Sequence, residues 1–122
     1  MSVVIASKTR YTGTAKPPDL NIETKVVEIG AQGDDYLVEG YVDLSQLESG
    51  DKATLCEYIA VDGSNYRRFI CVDYSGPVSE PVIRFHTKTL LNHMRYRVTV
   101  TQTDGTVRSF PYGFILEVMG TL

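Results

Sequence analysis

Turn signals interrupt this chain at short, regular intervals, and that spacing limits the elements it can form. Gly30-Ala31-Gln32-Gly33-Asp34-Asp35, Ser49-Gly50-Asp51, Asp62-Gly63-Ser64-Asn65, Ser75-Gly76-Pro77 and Thr103-Asp104-Gly105-Thr106 leave only short segments between them. Those segments alternate as strands do. Tyr36, Val38, Val42 and Leu44 share one face, with Leu37, Glu39, Tyr41 and Asp43 on the other. Tyr96, Val98 and Val100 likewise oppose Arg97, Thr99 and Thr101. Composition agrees: 14 Val, 7 Ile, 12 Thr, 8 Tyr and 4 Phe stand against 5 Ala and 9 Leu. Residues branched at Cβ pack well on a pleated surface, and good helix formers are scarce.

The pattern predicts an all-β, seven-stranded antiparallel sandwich over residues 20–122. Its strands are Leu20 to Ile29, Tyr36 to Leu44, Lys52 to Val61, Tyr66 to Tyr74, Val82 to Lys88, Tyr96 to Gln102 and Val107 to Val118. Asp62-Gly63 and Asp104-Gly105 read as hairpin turns, because glycine tolerates the positive φ such turns need. The 122 residues suffice for one domain. Residues 1–19 read differently, as an extended N-terminal arm. They carry Lys8, Arg10 and Lys16 with no acid before Asp19, and they end at Pro17-Pro18.

Leu90 precedes Tyr96 by six residues, and Tyr96-Arg97-Val98-Thr99-Val100 follows. This resembles the tyrosine corner of immunoglobulin-like and fibronectin type III-like domains, over about residues 20–118. The resemblance implies that the Tyr96 hydroxyl bonds back to the preceding corner. The chain has no Trp, so Tyr58 or Leu55 would fill the usual tryptophan place. More loosely, Ser79 to Leu90 and Tyr96 to Phe114 resemble small uncharacterised β proteins of archaeal and bacterial virus genomes. That resemblance implies a virion component in a capsid, decoration, tail or fibre role.

The chemistry-bearing residues are sparse. Cys56 and Cys71 fall symmetrically about a turn at Gly63-Ser64, so they sit opposite each other. A disulfide and a pair of reduced thiols both fit that placement. His86 and His93 are too few for a zinc site. Asp34, Asp35 and Glu39 offer oxygen ligands for calcium, but a solvated turn accounts for them better. No nucleophile motif or phosphate loop occurs, so no catalytic, metal or cofactor residue is assigned and no enzyme activity is expected. No apolar run is long enough for a membrane span or a signal peptide, so none is expected.

Charge is unevenly placed. Residues 17–65 hold 11 acids against Lys25 and Lys52. Residues 66–116 hold Arg67, Arg68, Arg84, Lys88, Arg95, Arg97 and Arg108 against Asp73, Glu80 and Asp104. Such a split either orients association or is neutralised between neighbouring strands. Arg67, Arg68, Arg95 and Arg97 near Tyr66, Phe69 and Tyr96 could stack single-stranded nucleic acid. With a net charge of −3, no nucleic-acid partner is expected.

The expected role is structural: a non-catalytic, self-assembling protein, first of all a virus particle component, made in the cytoplasm. Its partners would be copies of itself or another virion protein. The contact residues would be Val3, Val4, Ile5, Lys8, Arg10 and Tyr11 in the arm, with Val118, Met119 and Leu122 at the apolar C-terminus. The alternative is a recognition module for sugar or protein, with Tyr11, Tyr41, Tyr58, Tyr66, Tyr74 and Tyr112 as platform.

Overall fold

The computed structural model describes residues 2–122. It holds eight strands: β1 (Val3–Ala15), β2 (Thr24–Ile29), β3 (Tyr36–Asp43), β4 (Lys52–Ala60), β5 (Arg67–Ser75), β6 (Val82–Leu90), β7 (Arg95–Asp104) and β8 (Phe110–Thr121). They pair antiparallel in two sheets, ordered β1-β8-β3-β6 and β2-β7-β4-β5. Only β4 and β5, joined through Asp62-Gly63, are sequential neighbours within one sheet. Every other connection passes from sheet to sheet. This strand order is that of an eight-stranded jelly roll.

Three expectations change. The strands number eight rather than seven, and their order is not immunoglobulin-like. Asp104-Gly105 is not a hairpin, because β7 and β8 lie in different sheets. Gly105 does take the positive φ, 89°, that its turn requires. Finally, Val3 to Ala15 of the expected arm forms edge strand β1, laddered along β8 from Val3–Thr121 to Ala15–Phe110. Both faces of β1 are largely exposed, so its sequence carries no alternation to detect.

The core lies between the sheets. Tyr36, Val38, Val42 and Leu44 enter it from one side, and Tyr96, Val98 and Val100 from the other, as their alternation dictates. Phe110, Phe114 and Leu116 of β8 complete it. Gly40 pairs with both Phe114 and Phe85 in the ladders. Those two rings pack at 5.4 Å over it, and a Cβ at Gly40 would run into the Phe114 ring. Leu55, not Tyr58, takes a fully buried place.

The expected tyrosine corner is replaced. Tyr96 donates its hydroxyl to Glu57 inside the core. It is Tyr36 that donates to a corner carbonyl, that of Met94, at 2.7 Å. Burial pushes the Tyr36 phenol up to about 12. No helix of the described residues is long and apolar enough to cross a membrane.

Two buried polar side chains aim the β7–β8 connection. Asp51 accepts from the Glu48 amide (2.8 Å), the Thr106 amide (3.0 Å) and Arg108 Nε (2.7 Å). Gln102 donates to the carbonyls of Asp104 and Thr106 and accepts from the Arg108 amide. The Glu48 amide first, then Arg108 and the Thr106 amide, hold the Asp51 carboxyl below the usual aspartate range. A folded pKa below the unfolded one contributes stability that is complete at neutral pH. That contribution disappears as pH falls through the folded value.

Two predictions follow from this packing. Gly40→Ala should lower unfolding free energy by about 1–3 kcal/mol in urea denaturation, because the core has no room for the methyl. Asp51→Asn should cost about 1–3 kcal/mol at neutral pH. Its deficit relative to wild type should shrink when the denaturation is repeated at about pH 3; an equal deficit at both pH values would contradict the ionic role.

Candidate interaction surfaces

Five of the candidate contact residues from the two ends of the chain, Val3, Val4, Ile5, Met119 and Leu122, are brought together in one place. β3 pairs with β8 only as far as Val118, opposite Tyr36. After one further bond, from the Met119 amide to the Asp35 carbonyl at 2.9 Å, β1 and β8 continue alone. Ile5 lies opposite Met119, Val4 opposite Gly120 and Val3 opposite Thr121. The Leu122 amide donates to the Ser2 carbonyl at 2.9 Å. The result is a two-stranded overhang with Val3 and Leu122 among the most exposed apolar residues, at 69% and 81%. Ile5 is exposed and Met119 half-buried on the same ribbon. Tyr11 and Val118, by contrast, pack against the core. Lys8 and Arg10 are exposed on β1, with Lys8 opposite Glu117.

A second surface was not singled out by the sequence. β5 and β6 are edge strands of different sheets, and the sandwich is open between them. No residue of β5 is buried. Phe69, Ile70 and Val72 remain 59%, 48% and 39% exposed. A cavity of about 110 Å³ lies between Ile70, Val72 and Tyr74 on one side and Ile83 and Phe85 on the other. A shallower hollow of about 310 Å³ lies between Phe69, Arg67, Leu90 and Met94. The run Phe69-Ile70-Cys71-Val72 has the apolar continuity of a strand covered on both faces, yet it stands at an edge.

Polar chemistry between these hollows ties the sheets together. Lys88 Nζ lies 2.7 Å from Glu57, with both side chains largely buried. Lys88 also donates to the His86 carbonyl at 2.6 Å and sits over the Phe69 and Tyr96 rings. Burial, then the neighbouring Glu57 charge, pushes the Tyr96 phenol far above its ordinary value. An ion pair taken out of water persists only when its remaining valences are satisfied, as they are here.

The charge split resolves inside the chain. Glu28 pairs with Arg97, Glu39 with Arg84, Glu57 with Lys88, and Glu48 and Asp51 with Arg108. The proposed stacking set is dispersed. Arg97 lies over Tyr66 at 3.9 Å while bonded to Glu28, and Tyr96 is in the core. The tyrosines do not form one platform either. Tyr74 and Tyr112 pack on the core as Tyr11 does, and Tyr41 stands on the outer face of the β1-containing sheet. Tyr58 donates to Glu23, which also accepts from Thr99 at 2.7 Å. These hydroxyls, Tyr58 first, hold the Glu23 carboxyl below its usual range.

Of the calcium candidates, Asp35 accepts from the Asn92 amide and Glu39 faces Arg84. Among the described residues, no three His, Cys, Asp or Glu side chains converge on a metal position. Cys56 and Cys71 are joined as a disulfide across β4 and β5, with Cα atoms 4.1 Å apart.

No family model matches the chain, and no curated protein matches it in sequence. Among solved structures, it is similar to VP2 in the crystal structure of the infectious bursal disease virus VP2 subviral particle. The match has a TM-score of 0.51 and 8% identity, and it covers 96% of this chain. The chain spans 32% of that VP2 chain. At this identity the likeness shows a shared β-sandwich fold.

The disulfide fastens an edge strand that buries almost nothing else. Mass spectrometry after alkylation should find no adduct without reductant and two with it. Cys71→Ser should cost about 3 kcal/mol, the chain-entropy value for a closed loop of 15 residues.

Proposed function

We propose that this chain is a non-catalytic structural subunit that associates with copies of itself or with another structural protein, as a component of a virus particle. The observation that carries the reading is the open side of the sandwich, where Phe69, Ile70 and Val72 on β5 stay exposed across the opening from Ile83, Phe85 and Leu90 on β6. Adjacent exposed apolar side chains on a small domain mark a surface that gains by being covered. Two free strand edges flank them, and a free edge can accept a further strand. The overhang of β1 and β8 is the second contact surface. The shared fold with a particle-forming VP2 chain supports placing the assembly in a virion. Neither nucleic acid nor a membrane is needed as a partner.

Light scattering coupled to size-exclusion chromatography tests this. The full chain should run as a defined oligomer or larger assembly. The double substitution Phe69→Glu and Ile70→Glu should lower that order while circular dichroism stays unchanged. A monodisperse monomer across a wide concentration range would overturn the proposal.

A further inference from the structure

The outer face of the β1-β8-β3-β6 sheet carries a feature unrelated to either apolar edge. Ladder register places Arg84, Tyr41, Gly113 and Thr12 side by side across the four strands. The next outward row holds Glu39, Ile115 and Arg10. Gly113 contributes no side chain to its row, and a Cβ built there meets nothing within 4 Å. The missing side chain leaves an open depression of about 330 Å³ in an otherwise covered sheet face. Its walls are Tyr41, which is 48% exposed, Ile115, Thr12, Arg10 and Glu39.

These walls combine three chemistries in one small space. Tyr41 offers a flat aromatic face. Thr12 and Glu39 offer a hydroxyl and a carboxylate for hydrogen bonds. Glu39 is already balanced by Arg84 at 3.6 Å, whereas Arg10 has no ion-pair partner among the described residues. The depression therefore presents a guanidinium without a salt-bridge partner, beside an aromatic ring and a carboxylate that already faces Arg84. An apolar ligand would leave Arg10, Thr12 and Glu39 unused, and a simple anion would leave Tyr41 unused. A sugar ring bearing a carboxylate uses all four.

We infer that the Gly113 depression binds a carboxylated pyranose, a uronic or sialic acid unit of a saccharide. Its ring face lies on Tyr41, its carboxylate meets Arg10, and its hydroxyls meet Thr12 and Glu39. Guanidinium and carboxylate form charge-assisted hydrogen bonds in a two-point geometry, which give the charge selectivity. A single ring in an open site implies millimolar affinity, on the order of 1 mM. This inference does not depend on the assembly proposal, since the depression is away from β5.

Saturation-transfer-difference NMR tests it, because the ligand is observed whether the protein is monomeric or assembled. The probes are the methyl glycosides of glucuronic acid, N-acetylneuraminic acid and glucose. At least one acidic probe should receive saturation on its ring protons, and the identity of the stronger one tells uronic from sialic recognition. The neutral glucoside should bind about tenfold more weakly, the least that one charge-assisted bond supplies. Arg10→Gln should remove that difference. A Cβ at Gly113 meets no atom within 4 Å, so Gly113→Leu should fill the depression and abolish binding with little change in melting temperature. The inference is overturned if neither acid receives saturation, if the neutral sugar binds equally well, or if Gly113→Leu binds as wild type does.

Discussion

The insertion of β8 between β1 and β3 is the pairing on which the rest of the molecule depends. The last strand of the chain must enter between the first and the third. Once there, it gives β1 its only ladder partner among the described residues and delivers Phe110, Phe114 and Leu116 to the core. It also explains Gly40, whose missing side chain makes room for Phe114. Such pairing is non-local, so its loop-closure entropy is lost before its contacts form, and folding of such topologies is slow. Asp51 and Gln102 reduce the freedom of the last step. They fix residues 104–108 against the loop before β4, and so point β8 toward its slot.

The same topology disposes of the charge. Acid-rich and base-rich halves of the sequence are interleaved because β2 pairs with β7 and β3 with β6. Exposed pairs such as Glu39–Arg84 each contribute at most about 1 kcal/mol. Their effect is on register, since a slip would part Glu28 from Arg97 and Glu39 from Arg84. The cations without an ion-pair partner among the described residues include Lys8 and Arg10 on β1 and Arg67 and Arg68 on β5. Both are edge strands, and charges there discourage indiscriminate pairing of edges.

What could be read from the sequence follows from burial. β3 and β7 each have one face in the core, so Tyr36, Val38, Tyr96 and Val98 alternate as the physics requires. β1 has no buried face to impose a pattern, and for that reason it looked like an arm. β5 has apolar residues on both faces and almost no burial, the opposite of what continuity in Phe69 to Val72 implies. Asp62-Gly63 and Asp104-Gly105 are locally alike. The chain around Asp104-Gly105 is held instead by Gln102 beside it and by Asp51, far from the turn in sequence. Tyr36 and Tyr96 are equally plausible donors to a corner until Glu57 is placed beside one of them. The apolar candidate residues of the two termini stand out in the sequence, but their union on one ribbon requires the β1–β8 register. The Gly113 depression is invisible without that register, because it consists of a missing side chain between Tyr41 and Thr12.

The positions of the two apolar surfaces constrain what any assembly could be. β1 is one edge of its sheet and β6 is the other, with β5 beside β6 across the opening. The overhang and the open seam therefore lie on opposite sides of the sandwich. A seam that met another seam would form an isologous contact and stop at a two-fold dimer. A seam that met an overhang would form a heterologous contact, which continues as a ring or an open array. The terminal ribbon favours the second geometry. Val3, Ile5 and Met119 project from a narrow two-stranded tip, and the seam presents a narrow apolar channel between Ile70, Val72 and Phe85. A protruding ribbon and a recessed channel are complementary shapes, whereas two recessed channels facing each other leave their floors uncovered.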